Sequence, residues 1–292
     1  MAIAKSELIL NEDGSIYHLN LKPKHLAQNI ITVGDPDRVN QVTQFFDKIE
    51  LKIQKREFHT QTGTYKGQRI TVISTGIGTD NIDIVLNELD ALVNIDFKTR
   101  TVKKQKTSLY ITRIGTSGAI QPDIRIDSFV ASEIAIGFDS LLHFYDSEHI
   151  QLPEISNTLA KHLEWDKNKS TPYAVSYDKK LGDHLISNSI QRGITVTNVG
   201  FYGPQGRVLR IPLQDNKLNQ KLASFEYQAN KITNLEMETA GIYGIAKLLG
   251  HKAISMNAII ANRATGEFSQ TPKKTVEKLI LYTLNKIASF VK

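Results

Sequence analysis

Short β-branched runs alternate along this chain with longer stretches whose apolar residues recur every three or four positions, the pattern of a central sheet covered by helices. Strands are predicted at Ile30–Val33, Ile70–Ser74, Leu109–Ile114, Ser128–Ile136, Ile194–Val199 and Ala253–Ile260. Helices are predicted at Asn81–Val93, Glu154–Trp165, Asp178–Arg192, Glu238–Leu249 and Lys273–Val291. No internal repeat interrupts the alternation, and no Pro/Gly/Ser-rich linker marks a boundary. The expectation is therefore a single domain spanning residues 1–292, of α/β class, with a central mixed β-sheet flanked by helices.

Composition narrows the setting. With 40% hydrophobic and 23% charged residues the chain can bury a full core. The absence of Cys excludes disulfides, thiol nucleophiles, iron–sulfur clusters and thiolate zinc sites, and fits a reducing cytoplasm. Lys5 and Glu7 interrupt any apolar signal core between Met1 and Leu10, and no apolar run is long enough to cross a bilayer, so a cytoplasmic protein without membrane contact is expected. The sequon Asn168-Lys169-Ser170 should then stay unmodified. A net charge of +6 suits an anionic substrate as well as it suits a solvated surface. Five basic residues fall within Lys98–Lys106, but no aromatic residue interleaves them to stack on bases; a solvated loop is expected there, with no nucleic-acid partner.

Three predicted strands run into Gly-rich or Arg-bearing segments: Val33-Gly34-Asp35-Pro36-Asp37-Arg38, Ser74-Thr75-Gly76-Ile77-Gly78 and Arg113-Ile114-Gly115-Thr116-Ser117-Gly118. Small residues at such ends let backbone N–H groups approach an anion, while guanidinium forks and a Thr hydroxyl match phosphate oxygens. Together they describe an oxyanion site. A rival is a dinucleotide fold, since Gly76-Ile77-Gly78 follows a strand and Asp96 lies at the spacing of a ribose-binding acid. Asn81 at the third glycine position of that fingerprint, and a complete strand and turn before it, count against this reading.

Glu236-Met237-Glu238, placed between a strand and a helix, suits ribose, because a carboxylate accepts hydrogen bonds from two vicinal hydroxyls; it equally suits an acid favoured by a helix N-terminus. Phe201-Tyr202-Gly203-Pro204-Gln205-Gly206-Arg207 sets an amide and a guanidinium beside aromatic faces. An amide matches the carbonyl and N–H edge of a pyrimidine, and Arg adds donors for a carbonyl that gains charge; a surface loop with a structural aromatic is the plain alternative. His143, Asp146 and His149 have passable metal spacing, but such steps arise often by chance, and no metal is expected.

As an ordered set, GDPDR, REF, STGIG, RIGTSGAI, FYGPQGR, EMET and NR resemble the nucleoside phosphorylase superfamily from about His18 to Arg263, and PQGR resembles its uridine phosphorylase branch. The resemblance implies a nucleoside phosphorylase-like fold and phosphate-dependent cleavage of uridine to uracil and ribose 1-phosphate, with inorganic phosphate as co-substrate and no cofactor. It implies phosphate binding by Gly34, Arg38, Arg113 and Thr116, with Arg56 reaching in from a neighbouring subunit. Base binding falls to Ser117, Gly118, Phe201, Gln205 and Arg207, with Arg263 supporting Arg207; ribose binding falls to Met237 and Glu238, and to the neighbour's His18 at the 5′-hydroxyl. Catalysis would rest on Arg113, Gln205, Arg207 and Glu238. Shared sites imply a homodimer at minimum, or a hexamer. Members that bind a monovalent cation pair the counterpart of Glu57 with a Ser where this chain has Asn81, so no cation is carried over. The rival functions are a purine nucleoside phosphorylase or a hydrolytic nucleosidase on the same scaffold, and a noncatalytic nucleoside-binding protein.

Overall fold

A computed structural model describes residues 2–290. The N-terminal part runs β1 (Asn29–Val33), α1 (Pro36–Thr43), β2 (Lys48–Lys55), β3 (Phe58–Tyr65), β4 (Gln68–Ser74) and α2 (Thr79–Asn94), then a two-stranded ribbon of β5 (Ile95–Asp96) and β6 (Thr101–Val102). The middle runs β7 (Tyr110–Ala119), β8 (Phe129–Gly137), α3 (Pro153–His162), β9 (Tyr173–Ser176), α4 (Lys179–Leu185) and β10 (Gln191–Thr197). The remainder is α5 (Leu218–Ser224), β11 (Glu226–Tyr227), β12 (Asn230–Glu236), α6 (Thr239–Leu248), β13 (Lys252–Asn262), β14 (Glu267–Phe268) and α7 (Pro272–Ala288).

All strands except the β5–β6 ribbon join one mixed sheet in the order β11-β12-β10-β8-β13-β7-β1-β4-β3-β2, with β9 on β8 and β14 on β13. The centre is parallel: β1 bonds β4 and β7, β7 bonds β13, and β10 bonds both β8 and β12. Antiparallel contacts join β13 to β8 and β12 to β7, so that β12, β10, β8, β13 and β7 close back on themselves. The β2–β3–β4 meander extends the other edge.

Both faces of the sheet are covered. On α2, Ile82, Val85, Leu86, Leu89 and Leu92 fall at helical spacing and pack with α6 residues Ile242 and Tyr243. Across the sheet, Val39 and Val42 of α1 join Leu181 and Leu185 of α4 and Leu279, Ile280 and Leu284 of α7. A smaller core under α3 and α5 gathers Leu159, Val196, Leu222 and Phe225.

The α/β class, the mixed sheet and the six predicted strands are present, with four differences. The segment Gly115–Gly118, expected as a turn, continues β7 in register with Asn257–Ala261 of β13. The helix expected over Asp178–Arg192 stops at Leu185; Ser187, Asn188 and Ser189, all weak helix formers, follow, the two Ser hydroxyls bonding each other, and Gln191 already opens β10. The first turn after β1 is the start of α1, capped by the Asp35 side chain accepting from Asp37 N, with Pro36 at the position where its missing N–H costs nothing. Strands β2, β3 and β9, and the two-residue strands β5, β6, β11 and β14, were not predicted, although β2 alternates exposed and half-buried positions along its whole length. The last predicted helix is α7, but Val291 lies outside the described residues.

Tyr243 locks α6 to the sheet. Its buried hydroxyl donates to the Ser132 carbonyl at 2.6 Å and accepts from Ser255 N at 2.8 Å, joining β8 and β13. Tyr243→Phe would leave both backbone groups unpaired in the core, at roughly 1–3 kcal/mol each. A urea denaturation midpoint well below that of the parent protein, with unchanged m-value, is expected; an unchanged midpoint would refute this role.

Candidate active site

The carboxyl ends of β1, β4, β7, β12 and β13 meet at a cleft of about 680 Å³, where parallel strands leave their final loops free to face a ligand. Gly34, Arg38 and Thr116 line it. Phe201, Gln205 and Arg207 line it too, as do Ser117 and Gly118. Arg113, Met237 and Glu238 also line it. Eleven of the fourteen residues named from the sequence therefore share one cavity: Gly34, Arg38, Arg113, Thr116, Ser117, Gly118, Phe201, Gln205, Arg207, Met237 and Glu238.

Arg113 is buried on β7, and its guanidinium lies against Gly115 two residues on, on the same face of the strand; a Cβ at Gly115 would stand 1.9 Å from Arg113 Nη1. Nη2 meets Glu238 Oε2 at 2.6 Å and Glu236 Oε2 at 3.1 Å, while Nη1 donates to Asn257 Oδ1 at 2.9 Å. Burial alone would lower the Arg113 pKa, but the Glu236 and Glu238 carboxylates together hold it above its ordinary value. Burial raises the Glu238 carboxyl, with Arg113 working against that rise and Glu236 adding to it.

Glu236, given no role of its own in the sequence reading, is the hub of this cluster. Its carboxylate accepts from Glu238 N, from Thr239 N and from Thr197 Oγ1, and so satisfies the N-terminal donors of α6. The signal for it is a buried acid immediately before a helix that has no Ser, Thr, Asp or Asn at its boundary residue, Glu238. Glu238 Oε1 accepts Gly78 N at 2.8 Å. The Gly76-Ile77-Gly78 turn, expected to aim its N–H groups at an anion, thus gives one of them to a carboxylate. Both glycines have positive φ, 72° and 96°.

Arg38 projects from the first turn of α1 and makes no ion pair among the described residues; burial lowers its pKa, with Asp35 opposing. In the base-loop motif, a short 3-10 turn at Gly203–Gln205 ends at Gly206 in the left-handed region, and a Cβ there would meet the Asn219 side chain at 2.6 Å. Gln205 is buried, and its Oε1 accepts from Arg207 Nη1 at 2.7 Å. The Arg207 guanidinium lies over the Phe201 ring, 3.8 Å from its centroid. Burial and then the charge of Arg263 push Arg207 down to about 10. Arg263 lies behind the wall and donates to the Gln205 and Gly206 carbonyls, so it holds the loop backbone; the sequence expectation had it support Arg207.

Besides Arg263, two expected site residues do not line this cleft. Arg56 is exposed at the β2–β3 turn with φ 55°. His18 is bonded to Glu88 on α2. Residues to which the sequence reading gave no site role complete the lining: the apolar Ile77, Ile260, Ala261 and Phe268, and the polar Asp35, Glu57 and Asn81. Asp96, the ribose acid of the dinucleotide reading, instead accepts from Lys98 N and Thr99 N in its own turn. His143, Asp146 and His149 are exposed, and His143 Nε2 donates to the Thr171 carbonyl. Among the described residues no three His, Asp or Glu side chains gather as metal ligands, and no helix is long and apolar enough to cross a membrane.

The lysines of the basic segment are exposed, whereas Arg100 is half-buried and donates to the carbonyls of Ile3, Ala4 and Leu8. The segment expected to be a solvated loop therefore also holds the N-terminal residues.

The model of the phosphorylase superfamily matches residues 29–289. A uridine phosphorylase of Thermococcus kodakarensis is 30% identical over 270 residues, covering 90% of this chain and 83% of that protein. A DeoD-type purine nucleoside phosphorylase of Oceanobacillus iheyensis is 28% identical over 251 residues, covering 86% and 88%. The solved structure of a Trypanosoma brucei nucleoside phosphorylase, described as showing uridine phosphorylase activity, superposes with a TM-score of 0.84 at 27% identity, covering 96% of this chain and 99% of that one.

Replacing Glu236 by Gln would leave Arg113 short of one carboxylate and put an amide N–H₂ against the donors that open α6. Arg113 would keep Glu238, so the cost falls mainly on the α6 donors, and a lost helix-capping acceptor costs about 0.5–2 kcal/mol. Calorimetry should show a clearly lowered Tm for Glu236→Gln, and a Tm equal to that of the parent would show that the cluster does not hold this end of the fold.

Proposed function

The chain belongs to the phosphorylase superfamily, and on that premise we propose that it is a uridine phosphorylase, acting as one domain over residues 1–292 to convert uridine and inorganic phosphate into uracil and ribose 1-phosphate. The observation that carries this reading is the chemistry of the cleft. An anion-binding wall of Arg38 and Thr116, a carboxylate at Glu238, and an amide–guanidinium pair at Gln205 and Arg207 line a single cavity. Phosphate, ribose and pyrimidine have matching requirements.

In this reading Gly34, Arg38, Arg113 and Thr116 hold phosphate, Met237 and Glu238 hold the ribose, and Ser117, Gly118, Phe201, Gln205 and Arg207 hold uracil. A phosphate oxygen attacks C1′ as the C1′–N1 bond stretches, and the electron pair leaves with the base. Gln205 and Arg207 stabilise that charge on the uracil carbonyls, and Arg113 spans phosphate and Glu238. Such donors, preorganised by Arg263 behind the loop, are each worth ~10²–10³-fold in rate. No side-chain nucleophile and no cofactor enters; phosphate is the co-substrate. The setting is cytoplasmic.

The PQGR loop offers no acidic partner for a purine ring, and a hydrolase has no use for a phosphate-directed wall; these features favour the pyrimidine phosphorolysis reading over the two enzyme rivals. Uracil release from uridine is expected to depend on added phosphate. Release at the same rate in phosphate-free buffer would turn the reading to a nucleosidase, and uridine binding without turnover would turn it to a binding protein.

The active unit is proposed to be a homodimer at minimum, because Arg56 and His18 do not line their own chain's cleft and would serve a neighbour's. Arg56→Ala and Arg207→Ala, each nearly inactive alone, should complement when refolded together. In a mixed dimer the Arg56→Ala chain keeps Arg207 and receives an intact Arg56. About a quarter of parent activity should return for a two-fold pair in which half the dimers are mixed and one of two sites is whole. No recovery after verified subunit exchange would place Arg56 in its own chain's site.

A further inference from the structure

His18 reaches its place through an interaction for which neither its motif nor the residue types around it gave a sign. Halfway along α2, Glu88 accepts from His18 N at 3.0 Å and Leu19 N at 2.9 Å, and its Oε1 lies 2.6 Å from His18 Nδ1. One carboxylate thus holds both the backbone at the root of the ring and the ring itself. The pair is partly shielded, the side chains of His18 and Glu88 being 27% and 13% exposed. From the other side, the Tyr17 ring stands edge-on to the imidazole at 4.7 Å, and Lys55 Nζ donates to the Tyr17 carbonyl at 2.6 Å. Seven positions of α2 lead from Asn81, which lines the cleft, to Glu88, which sets the pair roughly 10 Å along the helix from its own cleft at 1.5 Å per residue.

We propose that Glu88 is the positioning residue that fixes the orientation and tautomer of His18, so that His18 Nε2 is presented to the 5′-hydroxyl of a nucleoside in a neighbouring copy's cleft. The inference rests on the reading of His18 given above and adds the residue through which it works. A carboxylate only accepts, so Nδ1 carries a proton in the Glu88 contact, and of the two neutral tautomers Glu88 selects the one whose lone pair is on Nε2. An Nε2 lone pair accepts the hydroxyl proton of a 5′-OH and gains nothing from a 5′-deoxy sugar. Without Glu88 the ring is free to turn about its χ angles and to change tautomer, and the acceptor is no longer aimed.

The test compares kcat/KM for uridine and 5′-deoxyuridine in the parent protein, His18→Ala, Glu88→Ala, Glu88→Gln and the His18→Ala/Glu88→Ala double variant, with circular dichroism to verify folding. The parent should prefer uridine, and His18→Ala should cut that preference by about three- to tenfold, the worth of one neutral hydrogen bond. Glu88→Ala should cut it by a similar factor while leaving 5′-deoxyuridine turnover near that of the parent, and the double variant should fall no further than His18→Ala. Glu88→Gln, which keeps one acceptor oxygen, should lie between. If His18→Ala reduces the preference and Glu88→Ala does not, or if Glu88→Ala lowers both substrates equally, Glu88 has only a structural role and the inference is overturned. If His18→Ala leaves the preference unchanged, the reading of His18 fails and takes the inference with it.

Discussion

A buried guanidinium between two carboxylates is costly unless every group is paired, and the cleft is arranged around meeting that condition at Arg113. Glu236 and Glu238 share Nη2, Asn257 takes Nη1, and the remaining carboxylate oxygens are occupied by Thr197, by the first N–H groups of α6 and by Gly78 N. Through these bonds one charge cluster ties together β7, β10, β13, the start of α6 and the turn that opens α2. Its parts are therefore hard to separate into structural and functional: the Glu238 oxygen that would face a sugar hydroxyl is the neighbour of one that holds a backbone turn. The same low dielectric that makes such a cluster costly to leave incomplete makes its fixed charges effective toward a ligand once water is excluded.

This coupling decides what could be read from the chain alone. The strands that pack on both faces were visible as β-branched runs, because a parallel centre buries both sides of each strand. Strand β2, with Lys48, Lys52 and Lys55 along it, is an edge, and its charges masked a period of two that the residues do carry. Gly115–Gly118 looked like a turn because Gly at a strand end usually is one; there Gly115 instead leaves room for the Arg113 side chain. Local propensity holds no record of that need, since it arises from a guanidinium folding back over the same strand face.

Among the residues of the cleft, those in compact motifs were legible and those that act by distant pairing were not. Gln205 and Arg207 sit two residues apart in one loop and are bonded to each other, so a short string of sequence contains the whole arrangement. Glu236 was visible only as half of a carboxylate pair, because its partner Arg113 is more than a hundred positions away. Glu88 had no signal at all: an acid on the exposed side of an amphipathic helix is an ordinary solvated residue until His18 is seen against it. Arg100 is similar, since five basic residues in a row of nine describe a charged surface and do not reveal which one turns inward to hold Ile3, Ala4 and Leu8.

The rim of the cleft bears on the proposed assembly. Ile77, Phe201 and Phe268 line the cavity yet are 70%, 51% and 58% exposed, and single apolar residues at a surface need no explanation, whereas three around the mouth of a charged cleft do. Left open, that mouth admits water to the site where Arg38, Arg113 and Glu238 must act, and water weakens every one of those interactions. Apolar surface is stabilised by cover at about 25 cal/mol per Å² removed from water. A second copy that brings Arg56 and His18 to this mouth would cover the rim in the same movement, so the burial that favours association would also dry the site. Under the proposed dimer, exposure of the rim in the single chain and incompleteness of the site have one cause.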